Sequence, residues 1–360
     1  MRLPTIGGDP AKIDEDAATR LLREAIDAGV NYVDSAYPYH GGQSEPFLGR
    51  ALQDGYQARV HVATKLPTWL VKSEDDWERL LDEQLKRLGT DHIGFYLFHA
   101  LAAGRWETVR KLHGLAAIDR ARADGRIGHA GFSFHGSLDA FKTIIDGYDW
   151  AFCQIQYSFL DEAFQAGSEG LRYAASRRVG VVVMEPLRGG ALAAKVPGEV
   201  QRIWARYPVP RTPAEWGLRW VWDHPEIVTV LSGMNAESQL RENLALADCV
   251  RPSAMGPEEF TLIGEVREYY RSRMKVPCTT CGYCQPCPHG VAIPDVFSFY
   301  NRSAMFDTKK TAANFYQANL LRNGQGADAC QACGECEPKC PQAIPIIETL
   351  KEAHAHLTAP

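Results

Sequence analysis

The sequence predicts an α/β chain: a (β/α)8 barrel of the TIM type over residues 1–255, then a mainly helical module over residues 256–360. Three observations carry this. Short β-rich runs alternate with amphipathic stretches up to about residue 250, which is the pattern of βα units around a parallel sheet. No G-x-G-x-x-G follows any of these runs; an open doubly wound sheet would carry one after its first strand, so a closed barrel fits better. Finally, eight of the ten cysteines crowd between Cys278 and Cys340.

The β-rich runs are 31–36, 59–66, 93–100, 127–134, 152–159, 180–187 and 227–234. Helical periodicity lies between them, most clearly at 14–28, 74–88, 107–123 and 236–247. This makes seven strands where a closed barrel needs eight. Residues 1–13 hold two prolines and a Gly-Gly pair and read as loop. The expectation is that the first strand belongs upstream of Met1, since seven strands leave open sheet edges. Residues 258–272 read as a helix closing the barrel. The 42 residues between Cys287 and Cys330 contain aromatic and helix-forming stretches at 296–300 and 311–321 and no evident strand.

Composition narrows the classes. A formal charge of −5 offers no electrostatic footprint for nucleic acid. No run reaches the roughly 18 to 20 apolar residues of a membrane helix. The N-terminus lacks an apolar leader. The expected setting is cytoplasmic, where clustered cysteines are metal ligands rather than disulfides. Cys153 and Cys249 stand apart and read as buried small hydrophobes.

The second cysteine run is Cys330-x2-Cys333-x2-Cys336-x3-Cys340-Pro341. Three close cysteines wrap one cubane, and the fourth, before proline, reaches the other cluster. The first run is Cys278-x2-Cys281-x2-Cys284-x2-Cys287-Pro288, with its last gap one residue shorter. Thiolates are soft, charged donors suited to iron. Two structural zinc sites are the alternative, but two four-cysteine runs each ending in Cys-Pro favour two 4Fe–4S clusters. The expected sets are Cys278, Cys281, Cys284 and Cys340 for one cluster, and Cys330, Cys333, Cys336 and Cys287 for the other.

Catalytic groups of barrels sit at the C-terminal ends of strands. There the first three runs offer Asp34 and Tyr39, then Lys65, then His99. A phenol near pKa 10 exchanges protons poorly at neutral pH. An adjacent ammonium is expected to lower that value, a carboxylate to hold the ammonium, and a neutral imidazole to hydrogen-bond a substrate oxygen. Tyr37 is the rival phenol.

The segment Gly29-Val30-Asn31-Tyr32-Val33-Asp34, with Tyr39 and then Ser44-Glu45 and Leu48-Gly49, resembles the N-terminal signature of aldo-keto reductases. The resemblance implies that Asp34, Tyr39, Lys65 and His99 form the family's catalytic tetrad, and that NAD or NADP binds extended. It places Ser133 and Gln154 at the carboxamide. Met184 falls where the family usually has an aromatic ring under the nicotinamide. Ser232, Gly233, Met234, Gln239, Glu242 and Asn243 fall on the adenine side, with Lys195 and Arg241 as candidates for a 2′-phosphate. The whole resembles the subgroup with a C-terminal ferredoxin-like module. The function so implied is reversible hydride transfer between the nicotinamide and a small carbonyl or alcohol, with a one-electron carrier protein as a further partner. Hydride carries two electrons and a cluster takes one, and no flavin site is evident to divide the pair. The other reading is an electron-transfer or redox-sensing protein whose barrel is a docking scaffold.

Overall fold

Seven strands form one parallel sheet in strictly sequential order: β1 (Tyr32–Asp34), β2 (His61–Leu66), β3 (Ile93–Leu101), β4 (Ile127–Phe134), β5 (Phe152–Gln156), β6 (Gly180–Met184) and β7 (Ile227–Val230). The computed structural model describes residues 2–194, 196–278, 282–340 and 342–359. Among these, β1 and β7 are the sheet edges, so the barrel architecture is present with seven strands and an open seam. Residues 2–14 add no parallel strand. They make a small turn with a 3-10 segment, Ile6–Gly8, and one antiparallel bridge between Thr5 and Ile13. Leu3 N donates to His40 Nε2 at 3.2 Å and Arg2 Nη1 to Gly189 O at 3.1 Å. This segment thus ties the loop after β1 to the loop after β6.

The connecting helices are α1 (Glu15–Asp27), α2 (Ser44–Ala51), α3 (Asp75–Leu88), α4 (Ala103–Lys111), α5 (Gly114–Ala123), α6 (Leu138–Asp146), α7 (Gly167–Ser176), α8 (Gly198–Trp204), α9 (Pro213–Trp222) and α10 (Glu237–Cys249). Local chemistry explains their ends. Asp14 caps α1 by accepting from Ala17 N at 3.1 Å. Helix α3 carries Asp75, Asp76 and Glu78 in its first turn and Lys86 and Arg87 in its last, matching the helix dipole, and stops at Gly89 in a left-handed conformation. The single helix read at 107–123 is two helices, α4 and α5. His113 takes φ +52° between them, a break that amphipathic periodicity does not reveal.

The chain divides into two compact units, Met1–Gly189 with Gly217–Met255, and Gly190–Trp216 with Gly256–Pro360. Residues 190–216, expected within the barrel, therefore group with the second unit. So does α11 (Pro257–Ser272), read from sequence as a barrel-closing helix. The rest of that unit holds α12 (Ile293–Phe306), α13 (Lys309–Asn319) and α14 (Ile346–Thr358), and no strand among the described residues. Its core joins Val276, Val291, Val296, Phe297, Tyr316, Ile346 and Leu350, and Cys278, Cys284, Cys287, Cys330, Cys336 and Cys340 pack on it. Buried Asn301 clamps the entry to the first run, accepting from Lys275 N and Val276 N, both at 2.9 Å, and donating to Val276 O at 2.7 Å. Among the described residues no helix is long and apolar enough to cross a membrane.

Candidate active site

Register decides which side chains share the barrel mouth. Asp34 pairs with Ala63, Lys65 with Leu97, Leu97 with Gly131, Ser133 with Gln154, Gln154 with Val182, and Gln156 with Met184. Side chains alternate along a strand, so paired residues and residues two apart lie on one face. Asp34, Lys65, Ser133, Gln154 and Met184 therefore point the same way, as do Ala63, Leu97, Phe152 and Val182, which form an interior cluster. At the end of β3 the register slips between Phe98 and Leu101, and Ala100 takes φ +53°. His99, two residues after interior Leu97, faces the interior by regular alternation, and the bulge lies at the strand end beside it. The bulge is held by Ala100 N donating to Ser133 Oγ at 2.7 Å.

Lys65 is fully buried. It donates to Asp34 Oδ1 at 2.7 Å, to Asp34 Oδ2 at 2.5 Å and to Ser35 O at 2.6 Å. Burial opposes its charge, but Asp34 and the Tyr39 hydroxyl outweigh burial and hold its pKa above the usual lysine value. The ammonium lies 4.9 Å from the centroid of the Tyr39 ring, close enough for its charge to act on the phenol. The His99 ring stands edge-on to Tyr39, centroids 6.0 Å apart. Burial, then the charges of Lys65, His135 and Arg105, push His99 down to about 2, so it is a neutral imidazole.

The Tyr39 pKa runs against the sequence expectation. Lys65 is the largest single influence and pulls it down, but burial with the charges of Asp34 and Glu185 leaves the phenol above its ordinary value. Burial is the larger opposing influence, and Asp34, seated on the same ammonium, adds to it. Tyr37 is directed elsewhere. Its hydroxyl donates to Glu83 Oε1 at 3.0 Å and Arg87 stacks 3.9 Å from its ring centroid.

Sequence reasoning missed the support behind Lys65. Buried Glu45 accepts from Thr64 Oγ1 and from Gln84 Nε2, each at 2.6 Å. Gln84 Nε2 also reaches Lys65 O at 3.1 Å, and Tyr96 donates to Gln84 Oε1 at 2.7 Å. Burial raises the Glu45 carboxyl, partly offset by these donors and Arg87. Ser35 and Ser44 hydroxyls share a hydrogen bond of 2.9 Å. The Ser44-Glu45 pair was visible as part of the signature; Gln84 and Tyr96 carry no sequence signal that sets them apart from other residues of a buried helix or strand face.

Among the residues expected to meet a nicotinamide cofactor, Gln154 Nε2 donates to Met184 Sδ at 3.5 Å, while Gln154 Oε1 is buried without a partner among the described residues. His99 Nδ1 is likewise buried and unpaired. Asn243 Nδ2 donates to Ser232 Oγ at 2.9 Å and to Met234 Sδ at 3.4 Å. Gln239 Oε1 accepts from Asn235 N at 3.0 Å, and Glu242 lies on α10 with Asn243. Gly233 faces the side chain of Arg2, which would crowd any Cβ there. Arg241 is committed to Glu24, at 3.3 Å, and to Glu237. Lys195 lies outside the described residues.

The second unit brings its two cysteine runs together. Cys284, Cys287, Cys330, Cys333 and Cys336 line one pocket with Val291, Ile293 and Leu350. Cys278, Cys284 and Cys340 line another with Phe297, Ile344 and Ile346. Each run thus lends its last cysteine to the cavity of the other. Cys281 lies outside the described residues. Burial, with Glu337, Cys330 and Cys287 close by, pushes the Cys336 thiol up. Among the described residues no three of these side chains converge on a single metal ion; soft thiol donors spread around two pockets fit multi-iron clusters instead. Of the two solitary cysteines, Cys153 is buried and its thiol raised, as expected. Cys249 is instead exposed, at the C-terminal end of α10.

Comparison with known proteins adds the following. A family model described as the Aldo/keto reductase family matches residues 3–255, and one described as a 4Fe-4S dicluster domain matches residues 277–344. The NADH-specific methylglyoxal reductase of Escherichia coli (strain K12) is 25% identical over 292 residues, covering 67% of this chain and 86% of that protein. The L-galactose dehydrogenase of Arabidopsis thaliana is 25% identical over 279 residues, covering 71% and 86%. Among solved structures, an aldo-keto reductase from Bacillus halodurans in its holo form superposes with a TM-score of 0.59 at 24% identity, covering 70% of this chain and 87% of that one. An aldo-keto reductase from Klebsiella pneumoniae in complex with NADPH gives 0.57 at 20% identity, covering 70% and 85%.

Proposed function

Since this chain belongs to the aldo/keto reductase family and carries a 4Fe-4S dicluster domain, we propose that it is an oxidoreductase that interconverts a small aldehyde or ketone and its alcohol at the Asp34–Tyr39–Lys65–His99 site, using NAD or NADP. One observation carries the reading: Lys65, buried and locked by Asp34, lies against the Tyr39 phenol with neutral His99 edge-on to it. A bound nicotinamide would supply or accept the hydride. Tyr39, protonated at neutral pH, donates its proton to the carbonyl oxygen. His99, as a neutral ring, hydrogen-bonds the same oxygen and fixes its direction. Lys65 stays charged throughout and stabilises the phenolate left behind, while Asp34 keeps that ammonium from moving. Gln154 Oε1 and the Ser133 hydroxyl, an unpaired acceptor and an available donor, would hold a carboxamide, with Met184 packed beside it. Ser232, Gly233, Met234, Gln239, Glu242 and Asn243 would hold the adenosine end.

In the second unit, Cys278, Cys281, Cys284 and Cys340 would hold one 4Fe–4S cluster and Cys330, Cys333, Cys336 and Cys287 the other, each supplying one-electron redox chemistry. The exchange of Cys287 and Cys340 between the two cavities supports this pairing. The external partner of this unit is a one-electron carrier protein.

The test compares two phenols two residues apart. Tyr39→Phe should lower carbonyl reduction by at least the ~10²- to 10⁴-fold typical of a general acid, with nicotinamide affinity nearly unchanged in a fluorescence titration. Tyr37→Phe, whose hydroxyl serves Glu83, should be mild. Reversed effects would discard the assignment.

A further inference from the structure

Beside the tetrad stands a cation that the proposed reaction does not use. Arg105, in the first turn of α4, donates through Nη1 to Ala100 O at 2.7 Å, the residue next to His99. Its guanidinium lies 5.5 Å from the centroid of the Trp69 ring. That ring in turn lies 5.1 Å from the His99 ring, and Trp69 is 42% exposed, a large share for an indole at a barrel mouth. Trp69 follows the end of β2, and Arg105 follows the end of β3, so both belong to the strand-end loops that surround the tetrad.

Most other arginines of this unit meet carboxylates: Arg23, Arg50, Arg59, Arg79, Arg87, Arg126 and Arg188 all do. Arg105 meets none among the described residues, and it is half-buried. Desolvation alone lowers its pKa, with no neighbouring acid to compensate. Glu185, whose charge acts on Tyr39 and His135, does not act on Arg105. The other neighbouring groups, His99 and His135, are held towards their neutral forms. A half-desolvated guanidinium with free donors is costly unless something anionic meets it. Its planar fork matches a carboxylate, and its place next to His99 sets that carboxylate near the reacting carbonyl.

Resting on the reaction proposed above, we infer that Arg105, backed by Trp69, binds a carboxylate on the substrate, so that the substrates are short oxo acids and their hydroxy-acid counterparts.

Charged and neutral probes of equal shape test this: pyruvate against pyruvamide, and 4-carboxybenzaldehyde against 4-formylbenzamide, with propanal as a plain aldehyde. The native holoenzyme should favour the carboxylate of a pair in kcat/KM. In Arg105→Met that ratio should fall by roughly 10- to 150-fold, the loss of a hydrogen bond to a charged group, and chiefly through KM. Arg105→Lys keeps the charge without the fork and should restore part of it. Equal use of both members of each reduced pair by the native enzyme would overturn the inference and leave the reductase reading standing. So would an Arg105→Met defect that falls on nicotinamide KM instead. Failure to reduce any of the five probes, propanal included, would count against the reductase reading itself.

Discussion

Tyr39 shows how two adjacent charges decide a proton's fate. An isolated ammonium beside a phenol would pull its pKa down, and that was the expectation from residue types alone. The geometry adds Asp34 on the same ammonium, at 2.5 and 2.7 Å, and an enclosing barrel, and the net direction reverses. The direction has a kinetic consequence. Reduction needs Tyr39 protonated, and a phenol raised above its ordinary value near 10 stays protonated across the neutral range. kcat for reduction should therefore be flat through neutral pH and fall only at strongly alkaline pH. Oxidation of the alcohol needs the phenolate and should climb with pH over the same range. His99, held at about 2, should add no acid limb between pH 5 and 8. A reduction profile already falling below pH 9 would mean that Lys65 wins after all. Asp34, Tyr39, Lys65 and His99 were legible because strand ends and residue types mark them. Gln84, Trp69 and Arg105 were not, because their significance comes from through-space contacts with no fixed spacing along the chain.

At the scale of elements, the strands were easier to read than their irregularities. All seven runs became strands, since β-rich runs between helical stretches have one stable solution, the parallel sheet. The bulge at His99–Ala100 left no such trace. Nor did the break at His113, because apolar spacing continues through it. The exposure of Cys249 was misread because a lone cysteine is usually buried, whereas α10 presents this one at its end. Glycines give the sharpest test of packing between elements. A Cβ on Gly49, in α2, would sit 2.7 Å from Leu88 O at the end of α3, a backbone atom that cannot step aside. On Gly264, in α11, it would meet nothing closer than the end of Arg267 at 4.0 Å. Gly49→Ala should therefore destabilise by about 1–3 kcal/mol, and Gly264→Ala should stabilise by ~0.4–1 kcal/mol through helix propensity and a stiffer unfolded chain. Denaturant midpoints followed by circular dichroism would show opposite shifts; a neutral Gly49→Ala would mean that α2 and α3 are not locked together as described.

Across the whole molecule, the question is what the second unit adds to a barrel whose proposed reaction needs only Asp34, Tyr39, Lys65, His99 and a nicotinamide. One metal site would suffice to staple a module of this size, whereas two cubanes make a relay with potentials set by burial and hydrogen bonds. Anaerobically purified protein should be brown, with about eight irons and eight sulfides per chain; colourless, zinc-loaded protein would end the cluster reading. Cys336→Ser then separates staple from relay, since Cys336 lines the cavity that Cys287 shares with the second run. A purely structural module predicts lower folding stability, with the surviving folded fraction keeping full nicotinamide-dependent reduction and full exchange with a ferredoxin-like or dye acceptor. A relay predicts that the folded variant keeps nicotinamide-dependent turnover, because Tyr39 and Lys65 are untouched, yet loses exchange with the one-electron acceptor. The relay is the expected outcome: hydride moves electrons in pairs, a cubane moves them singly, and the tetrad needs no iron to do its part.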